Sequence, residues 1–463
     1  MNSKKTIIIV LTILLAFGLI GGLVYLNGIK KDSENTNNSS SGSYTSGNTI
    51  TLNGTSIEAP YGTTLNGTTL TITKGGTYTV TGALEDGSIV VNADHEEVTL
   101  VLSNAEITSS TSAPIYVMQA EKVTLVLADG TTNTLTDSSN HSVDTSGEPD
   151  GVIFSKDDLV IDGTGTLKIT ANYADGIVSK DTLLIKNGTI IIDSADDGMR
   201  GKDSVVIENG TFTISAKGDA IKSTNDTDAT LGYVTIENGT FDLKTEKDGI
   251  QAETTLTIKN GEFKIITTGD PNSDSAKGLK AGTSIVIENG SYTIDATDDG
   301  IHSNGDITIN GGTITVTSDD DAVHADGKVE VNGGTFTLDA HEGLEATYVK
   351  ITDGTVNIDA TDDGINAGNK SNVYETTIEI TGGSISINMA SGDTDGIDSN
   401  GNLYITGGTI NINAQSPFDY DGEGKFTGGT LIVNGQEVTS LTNQMMGGGM
   451  PGGMNGMPGG FRR

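Results

Sequence analysis

The sequence predicts an all-β fold, a parallel β-helix preceded by one apolar N-terminal helix, and three observations support the β-helix. A unit of 21 or 22 residues returns along most of the chain, as in ADDGMRGKDSVVIENGTFTISA at residues 195–216. A fixed period of this size is typical of solenoid proteins. Apolar and polar residues alternate within each unit, which indicates strands. The unit has no stretch long enough for a crossover helix, so successive units must pair strand on strand.

Stacking the units aligns equivalent residues in columns. One apolar column contains Ile177, Met199 and Ile221, and another contains Phe212, Phe241 and Phe263, the latter continuing to Tyr292. A column of small residues, such as Ser179 and Gly201, follows the first column by two positions. Because side chains alternate between the faces of a strand, we expect all three columns to point into the core.

The N-terminal segment, residues 1–31, is predicted to be a signal anchor or a signal peptide. Thr6–Leu26 carries no charge and is long enough to span a bilayer. Lys4 and Lys5 precede it, as the positive-inside rule requires. No clear Ala-x-Ala cleavage site follows, so an uncleaved membrane anchor is favoured over cleaved secretion.

The remaining chain divides into four parts. Residues 32–48 are rich in Ser and Asn and read as a flexible linker. Residues 49–149 alternate like strands without the strict turn motif and are predicted to cap the solenoid. Residues 150–440 contain the regular coils, and residues 441–463, rich in Met, Gly and Pro, are expected to be disordered.

Composition excludes several classes of protein. The chain of 463 residues has no Cys, which excludes disulfides, a thiolate metal site and a cysteine nucleophile. Its 62 acidic residues against 26 Lys and Arg give a formal net charge of -36, which disfavours nucleic acid as a partner. Trp is absent, and the aromatic column is in phase with the core, so it is not a platform for stacking sugars.

Acidic residues recur at the turn that opens each unit and predict a calcium-binding corner. In a stack, these carboxylates would lie about 5 Å apart and repel one another, and a hard divalent cation with oxygen ligands would relieve the repulsion. The alternative is that Asp-Gly is simply favourable turn chemistry. The candidate calcium ligands are Asp175, Asp196, Asp197, Asp219, Asp248, Asp298, Asp299, Asp320, Asp321, Asp362, Asp363 and Asp395.

An outward column beside these acids is basic in its middle and predicts a site for an anionic ligand. It runs from Val178 through the basic residues to Glu345, Asn366 and Asp398, and Lys277 replaces the turn acid of one unit. The alternative is that these bases neutralise the acids within the molecule. Two His residues could instead hold a transition metal, although no third ligand is evident. The candidate ligand-binding residues are Arg200, Lys222, Lys277, Lys280, His302 and His324.

Three segments identify a family resemblance: GGTYTVTGAL, VTLVLSNAEITSSTSAPIYVMQAEKVTLVLADGTTNTLTD and the repeated ADDGMRGKDSVVIENGTFTI. From Gly75 to the end of the regular coils the chain resembles the clostridial carbohydrate-binding β-helix family, secreted proteins that bind calcium and acidic plant cell-wall sugars. The resemblance implies a right-handed, pectate-lyase-like β-helix with calcium as cofactor and polygalacturonate-like or cellulosic ligands. A membrane anchor in place of a cleaved signal would depart from the family.

We therefore expect a non-catalytic, calcium-dependent binder of acidic polysaccharide, monomeric, either secreted or held on the extracellular face of the cell membrane by its N-terminal helix. Two alternatives remain open. One is a pectate-lyase-like polysaccharide lyase that uses Arg200, Lys222 or Lys280 as base. The other is a structural or adhesive surface protein without a sugar ligand.

Overall fold

The computed structural model describes residues 42–270, 275–392 and 394–443. The predicted N-terminal helix, most of the linker and nearly all of the Met/Gly/Pro tail lie outside these ranges. Among the described residues, no helix has the length and apolar character needed to cross a membrane. The secondary structure of the described residues consists of β-strands.

The first eleven strands form the capping part and contain both parallel and antiparallel pairs. β2 and β3 pair antiparallel, as do β4 and β5, whereas β6 and β8 pair parallel. The looser pattern predicted for residues 49–149 thus corresponds to hairpins joined to the first coils. The strands are β1 Gly42–Thr45, β2 Thr49–Gly54, β3 Ser56–Pro60, β4 Thr63–Asn66, β5 Thr69–Ile72, β6 Gly76–Leu84, β7 Ser88–Asn92, β8 Glu97–Thr108, β9 Ile115–Gln119, β10 Lys122–Leu127 and β11 Thr132–Thr136.

The next strands form the regular coils, each with three strands that pair in parallel with their equivalents in the following coil. Ile177 pairs with Met199, Leu183 with Val205, and Ile190 with Phe212. The strands up to the seventh regular coil are β12 Gly151–Ser155, β13 Asp158–Gly163, β14 Thr166–Ala171, β15 Asp175–Ser179, β16 Thr182–Ile185, β17 Thr189–Ser194, β18 Met199–Gly201, β19 Ser204–Ile207, β20 Thr211–Ala216, β21 Ile221–Ser223, β22 Tyr233–Ile236, β23 Thr240–Thr245, β24 Ile250–Ala252, β25 Thr255–Ile258, β26 Glu262–Thr267, β27 Leu279–Ala281, β28 Ser284–Ile287, β29 Ser291–Ala296, β30 Ile301–Ser303, β31 Asp306–Ile309 and β32 Thr313–Ser318.

The pattern continues to the end of the fold, where it closes with a hairpin. In two coils the first and second strands merge into one, β33 and β35. The last strand, β46, pairs antiparallel with β45, so the stack ends in a turn-back and not in a further coil. The strands are β33 Val323–Val331, β34 Thr335–Ala340, β35 Leu344–Ile351, β36 Thr355–Ala360, β37 Asp363–Ala367, β38 Thr377–Ile380, β39 Ser384–Met389, β40 Asp395–Ser399, β41 Asn402–Ile405, β42 Thr409–Asn413, β43 Ser416–Tyr420, β44 Gly424–Phe426, β45 Thr430–Val433 and β46 Gln436–Val438.

The predicted columns form the core. The register joins the first apolar column without a break from Ile177 to Ile397. The small column is buried as predicted, with Ser179 and Ala281 both 0% exposed. Phe212, Phe241 and Phe263 stack face to face, with ring centroids 4.7 and 4.6 Å apart and planes within 5° of parallel. The core is therefore a tube of stacked, mostly apolar side chains of similar kind, and the described residues form a parallel β-helix.

Candidate functional site

The turn that joins the third strand of one coil to the first strand of the next forms an acid corner, such as Asp196-Asp197-Gly198. Most turn Asp residues there accept a hydrogen bond from a backbone N–H of the following coil. The backbone N–H of Asp197 donates to Asp175 Oδ1 at 3.1 Å, and that of Asp219 donates to Asp197 Oδ1 at 2.8 Å. The short carboxylate suits this role because it reaches the next backbone amide directly. The repeated Asp is thus a structural link between coils.

The second carboxylate oxygen of these residues binds the basic column. Arg200 donates to Asp175 Oδ2 and to Asp150 Oδ2, with Nη2 2.6 Å from the latter. Lys222 Nζ lies 2.6 Å from Asp219 Oδ2. The same arrangement continues at Lys280 with Asp248 (3.1 Å), Lys277 with Asp298 and Asp299 (2.7 and 2.6 Å), His302 with Asp299 (2.7 Å) and His324 with Asp321 (2.7 Å).

The expectation that the stacked acids repel one another without compensation is therefore wrong for this part of the corner. Every predicted ligand-binding base contacts a turn acid through a side-chain nitrogen, and the side chains of Arg200 and Lys222 are only 18% and 24% exposed. The basic column neutralises the acids, which is the alternative that the sequence left open. Whether any of these bases also contacts a ligand stays a prediction.

Burial and pairing shift the protonation of the corner. Burial raises the pKa of Asp175 despite the Arg200 guanidinium beside it, and burial likewise raises that of Asp219. The neighbouring carboxylates hold the pKa of Lys222 and of Arg200 above their usual values, outweighing burial. Both bases therefore stay charged at neutral pH.

The structure brings some of the predicted calcium ligands together. Carboxylate oxygens of Asp175, Asp196 and Asp197 lie within 4.8 Å of one another. Asp196 is exposed, and its carboxylate has no hydrogen bond or ion pair within the described residues. These acids line a cavity of about 270 Å³ together with Arg200 and Lys222.

In a second set of predicted ligands, carboxylate oxygens also lie within 4.8 Å of one another, and the set consists of Asp298, Asp299 and Asp320. Asp298 and Asp299 also bind Lys277. Asp219 and Asp248 form pairs with Lys222 and Lys280 instead.

Towards the C-terminal coils the corner keeps its acids and loses most of its bases. Burial and the carboxylates of Glu345 and Asp321 raise the pKa of Glu342 to about 8. Burial and the carboxylates of Asp398 and Glu342 raise that of Asp363 to about 8. The predicted ligand Asp362 joins Glu342 and His341 in a third possible metal group, and Asp395 stacks directly on Asp363.

One member of the outward column does not face solvent. Val178 is 0% exposed and packs with Ala113 and Phe154 in a second, small apolar cluster, against which Tyr116 also lies. The prediction of a solvent-facing column is therefore wrong at its first position, because Ala113, between β8 and β9, and Tyr116, on β9, cover it in a way that the repeat pattern does not reveal.

The outer face of the third strands carries a groove that the sequence pattern does not predict. It has a volume of about 520 Å³ and is lined by Lys168, Ile191, Asp193, Thr213 and Lys244, among others. Both lysines are exposed, and within the described residues neither ammonium forms an ion pair. The sequence does contain a signal for this groove, because two basic residues occupy outward positions of β14 and β23. These residues lie outside the column beside the turn, from which the ligand-binding bases are predicted.

Comparisons with known proteins identify a family. The sequence model of the family of carbohydrate-binding domain-containing proteins matches residues 66–322, 306–345 and 321–444. A carbohydrate-binding domain-containing protein from Acetivibrio thermocellus is 42% identical over 124 residues, which are 26% of this chain and 43% of that relative, so the match spans less than half of the relative's length.

A solved structure, the gadolinium derivative of the polysaccharide lyase-like protein from C. thermocellum, is 34% identical with a TM-score of 0.47 and covers 48% of this chain and 91% of its own. The family match extends over more than half of the sequence. The chain belongs to the family of carbohydrate-binding domain-containing proteins.

Proposed function

We propose that the protein binds acidic polysaccharides such as polygalacturonate, without cleaving them and with the help of calcium, at the extracellular face of the cell membrane or after secretion. The observation that carries the proposal is the groove with two unpaired lysines on the third strands. In a protein of net charge -36, a polyanion needs bases within its reach. The charged side chains that line the groove are these two lysines together with Asp193 and Asp242, so the groove carries no excess of negative charge.

The groove has the length and the contacts for several sugar residues. Lys168 stands on β14 and Lys244 on β23, and the register between these strands runs through β17 and β20. Neighbouring strands lie about 4.8 Å apart, so the two lysines are separated by roughly 14 Å along the stack. A chain of uronate residues lying across the coils could place a carboxylate at each lysine while Ile191 covers an apolar sugar face.

Calcium fits the acid corner where a carboxylate is not used by the protein itself. Asp196 is such a carboxylate, and calcium prefers oxygen ligands. Oxygens of Asp175 and Asp197, which also bind backbone amides and bases, lie within 4.8 Å of it and could complete the site. The groove reaches Asp193, three residues before Asp196, so an ion in the corner cavity would lie at the end of the groove. There it could share its open positions with a sugar carboxylate.

The surroundings of two of the three candidate bases support binding without cleavage. A lyase needs a base that can accept a proton, but the acids around Arg200 and Lys222 hold the pKa values of these two bases above their usual values. Incubation of the full chain with polygalacturonate and calcium should release no unsaturated, ultraviolet-absorbing product. Release of such a product would favour the lyase alternative.

The groove is tested with immobilised polysaccharides. The full chain should bind polygalacturonate more tightly than neutral cellulose. Lys168→Gln with Lys244→Gln should weaken binding roughly five- to thirty-fold, since an exposed ion pair contributes up to about 1 kcal/mol. Lys74→Gln with Lys186→Gln removes the same charge from exposed positions outside the groove and should have little effect.

Equal retention on cellulose and polygalacturonate would contradict the preference for acidic sugars. Equal binding by the groove variant and its control would place the ligand elsewhere, with the corner bases as the next candidates.

Calcium dependence is tested by thermal unfolding. An ion that binds only the folded state stabilises it by mass action, so melts with calcium and with chelator should differ by several degrees. Asp196→Asn should reduce the difference. Asp339→Asn, which removes an exposed carboxylate from the face of another coil, should leave it intact. Coincident melts of the unaltered chain would argue against a calcium site.

A further inference from the structure

Two imidazoles interrupt the row of fixed positive charges along the acid corner. His302 and His324 occupy the column positions that carry Arg200, Lys222 and Lys280 in earlier coils, and they stack with ring centroids 4.8 Å apart. A guanidinium or an ammonium offers only N–H bonds, whereas a neutral imidazole offers a nitrogen lone pair to a metal.

The surroundings of His324 contain more acceptors than donors. Its Nδ1 lies 2.7 Å from Asp321 Oδ2 and 2.9 Å from Glu345 Oε2, and both carboxylates are only 7% exposed. One N–H cannot fully satisfy two carboxylate oxygens. The same repeat provides a comparison, because Arg200 donates three bonds to its two carboxylate partners. The excess of acceptors therefore belongs to the His position and is not a property of every coil.

A divalent cation resolves this excess, because it takes lone pairs from all three atoms. Ligand atoms of Asp321, His324 and Glu345 lie within 4.8 Å of one another, and so do those of Asp299, His302 and His324. Two ligands at about 2.0–2.2 Å from one ion are roughly 2.9 Å apart when they meet at a right angle. We propose that His324, Asp321 and Glu345, with His302 and Asp299 on the preceding coil, form a site for one divalent transition metal ion.

The ligand types select the metal class. Imidazole suits zinc, nickel, copper and iron, whereas calcium takes oxygen ligands. The carboxylates are also held in place from outside. Lys370 Nζ lies 2.5 Å from Glu345 Oε1, which leaves Oε2 directed at His324, and Lys277 Nζ lies 2.6 Å from Asp299 Oδ2. Such outer contacts orient metal ligands and raise affinity. The site is distinct from the proposed calcium ligands Asp196 and Asp197, which lie several coils earlier.

The test is calorimetric titration of the full chain with zinc or nickel in buffer that contains saturating calcium, supported by the visible spectrum of the cobalt complex. We expect one strongly bound equivalent that calcium does not displace. His302→Gln with His324→Gln should weaken binding about a hundred-fold, and Glu345→Gln about ten-fold.

The control is His95→Asn, because His95 is exposed and asparagine tolerates its positive φ of 55°. It should bind zinc as the unaltered chain does. Equal zinc affinity of the double variant and this control, or displacement of zinc by calcium, would overturn the proposal. If the double variant does not fold in the absence of metal, the zinc affinity of Glu345→Gln tests the proposal instead. A Glu345→Gln variant that binds zinc as tightly as the unaltered chain would also overturn the proposal.

Discussion

At the scale of single residues, several turn Asp residues of the acid corner have two roles. One oxygen accepts a backbone N–H of the next coil, and the other binds a base of the outward column, as in Asp219, which accepts from the amide of Asp248 and from Lys222. A buried carboxylate is tolerated only when it is paired and hydrogen-bonded. The bases are therefore part of the fold, whatever else they bind.

Arg200→Ala is consequently expected to destabilise the protein. It leaves Asp175, whose side chain is 3% exposed, without its positive partner, and breaking one half of a buried pair costs about 3–5 kcal/mol. Denaturant unfolding should show the loss. Arg200→Ala combined with Asp175→Asn removes both charges and should recover much of it. An Arg200→Ala variant as stable as the unaltered chain would mean that the pair contributes nothing.

Asp137 illustrates the opposite case, a buried acid without a base. It is 3% exposed, its Oδ1 accepts the N–H of Asn172 at 2.5 Å, and its Oδ2 has no hydrogen-bond partner in the described part of the chain. Burial raises the pKa of this carboxyl. The folded state therefore binds the proton more tightly than the unfolded state, and stability falls as the pH rises from the unfolded pKa, about 3.9, to the raised folded value.

Asp137→Asn should remove this loss of stability at higher pH. We expect the variant to be more stable than the unaltered chain at pH 7, on the order of 1 kcal/mol, with the difference shrinking as the pH approaches 4. Melting temperatures at a series of pH values give the comparison, and Asp339→Asn serves as the exposed control. A variant less stable at pH 7 would show that the ionised carboxylate is needed, for example to hold His141.

At the scale of elements, the repeat predicts the strands and the core residues better than it predicts which side chains pair between coils. Strand alternation and the 22-residue step are local properties, so the register from Ile177 to Ile397 could be predicted from the sequence. The pairing of Arg200 with Asp150 and Asp175 could not, since it depends on side-chain reach across neighbouring coils. The cover over Val178 comes from Ala113 and Tyr116 in the capping part, outside the regular repeat. The groove between Lys168 and Lys244 comes from the shape of a sheet surface.

The turn between the second and third strands relies on glycine. Gly239 has φ of 146°, and a Cβ there would lie 2.9 Å from the ring of Phe241 and 3.1 Å from the carbonyl oxygen of Gly210. Gly239→Ala should therefore lower stability by about 1–3 kcal/mol. Asn238→Ala, at the preceding exposed position, should cost less. Thermal melts compare the two, and equal melting temperatures would show that the turn adapts without strain.

At the scale of the whole molecule, each coil contacts mainly its two neighbours, as β20 pairs only with β17 and β23. Stability in such a stack is approximately a sum of coil and nearest-neighbour terms. A local defect should therefore loosen a local region. The core tube is continuous along the described residues, but each coil packs mainly against its two neighbours. The damage should therefore not spread along the whole tube at once.

Hydrogen exchange measured by mass spectrometry tests this property. In Gly239→Ala, amide exchange should increase in β20, β23 and β26 and stay unchanged in β39 and β42, because several intact coils separate them. A uniform increase along the whole chain would indicate one cooperative unit instead. The Asn238→Ala variant supplies the background for the comparison.

The hairpin of β45 and β46 has a consequence for assembly. Parallel coils expose an unpaired strand edge that could accept the first coil of another copy, and growth by that route would give a fibre. β46 turns back antiparallel along β45, Leu441 packs against the end of the core, and the side chain of Asn443 donates to the carbonyl oxygen of Tyr420 at 2.6 Å. β46 thereby covers the open edge of β45, and we expect it to hinder fibre growth through that strand.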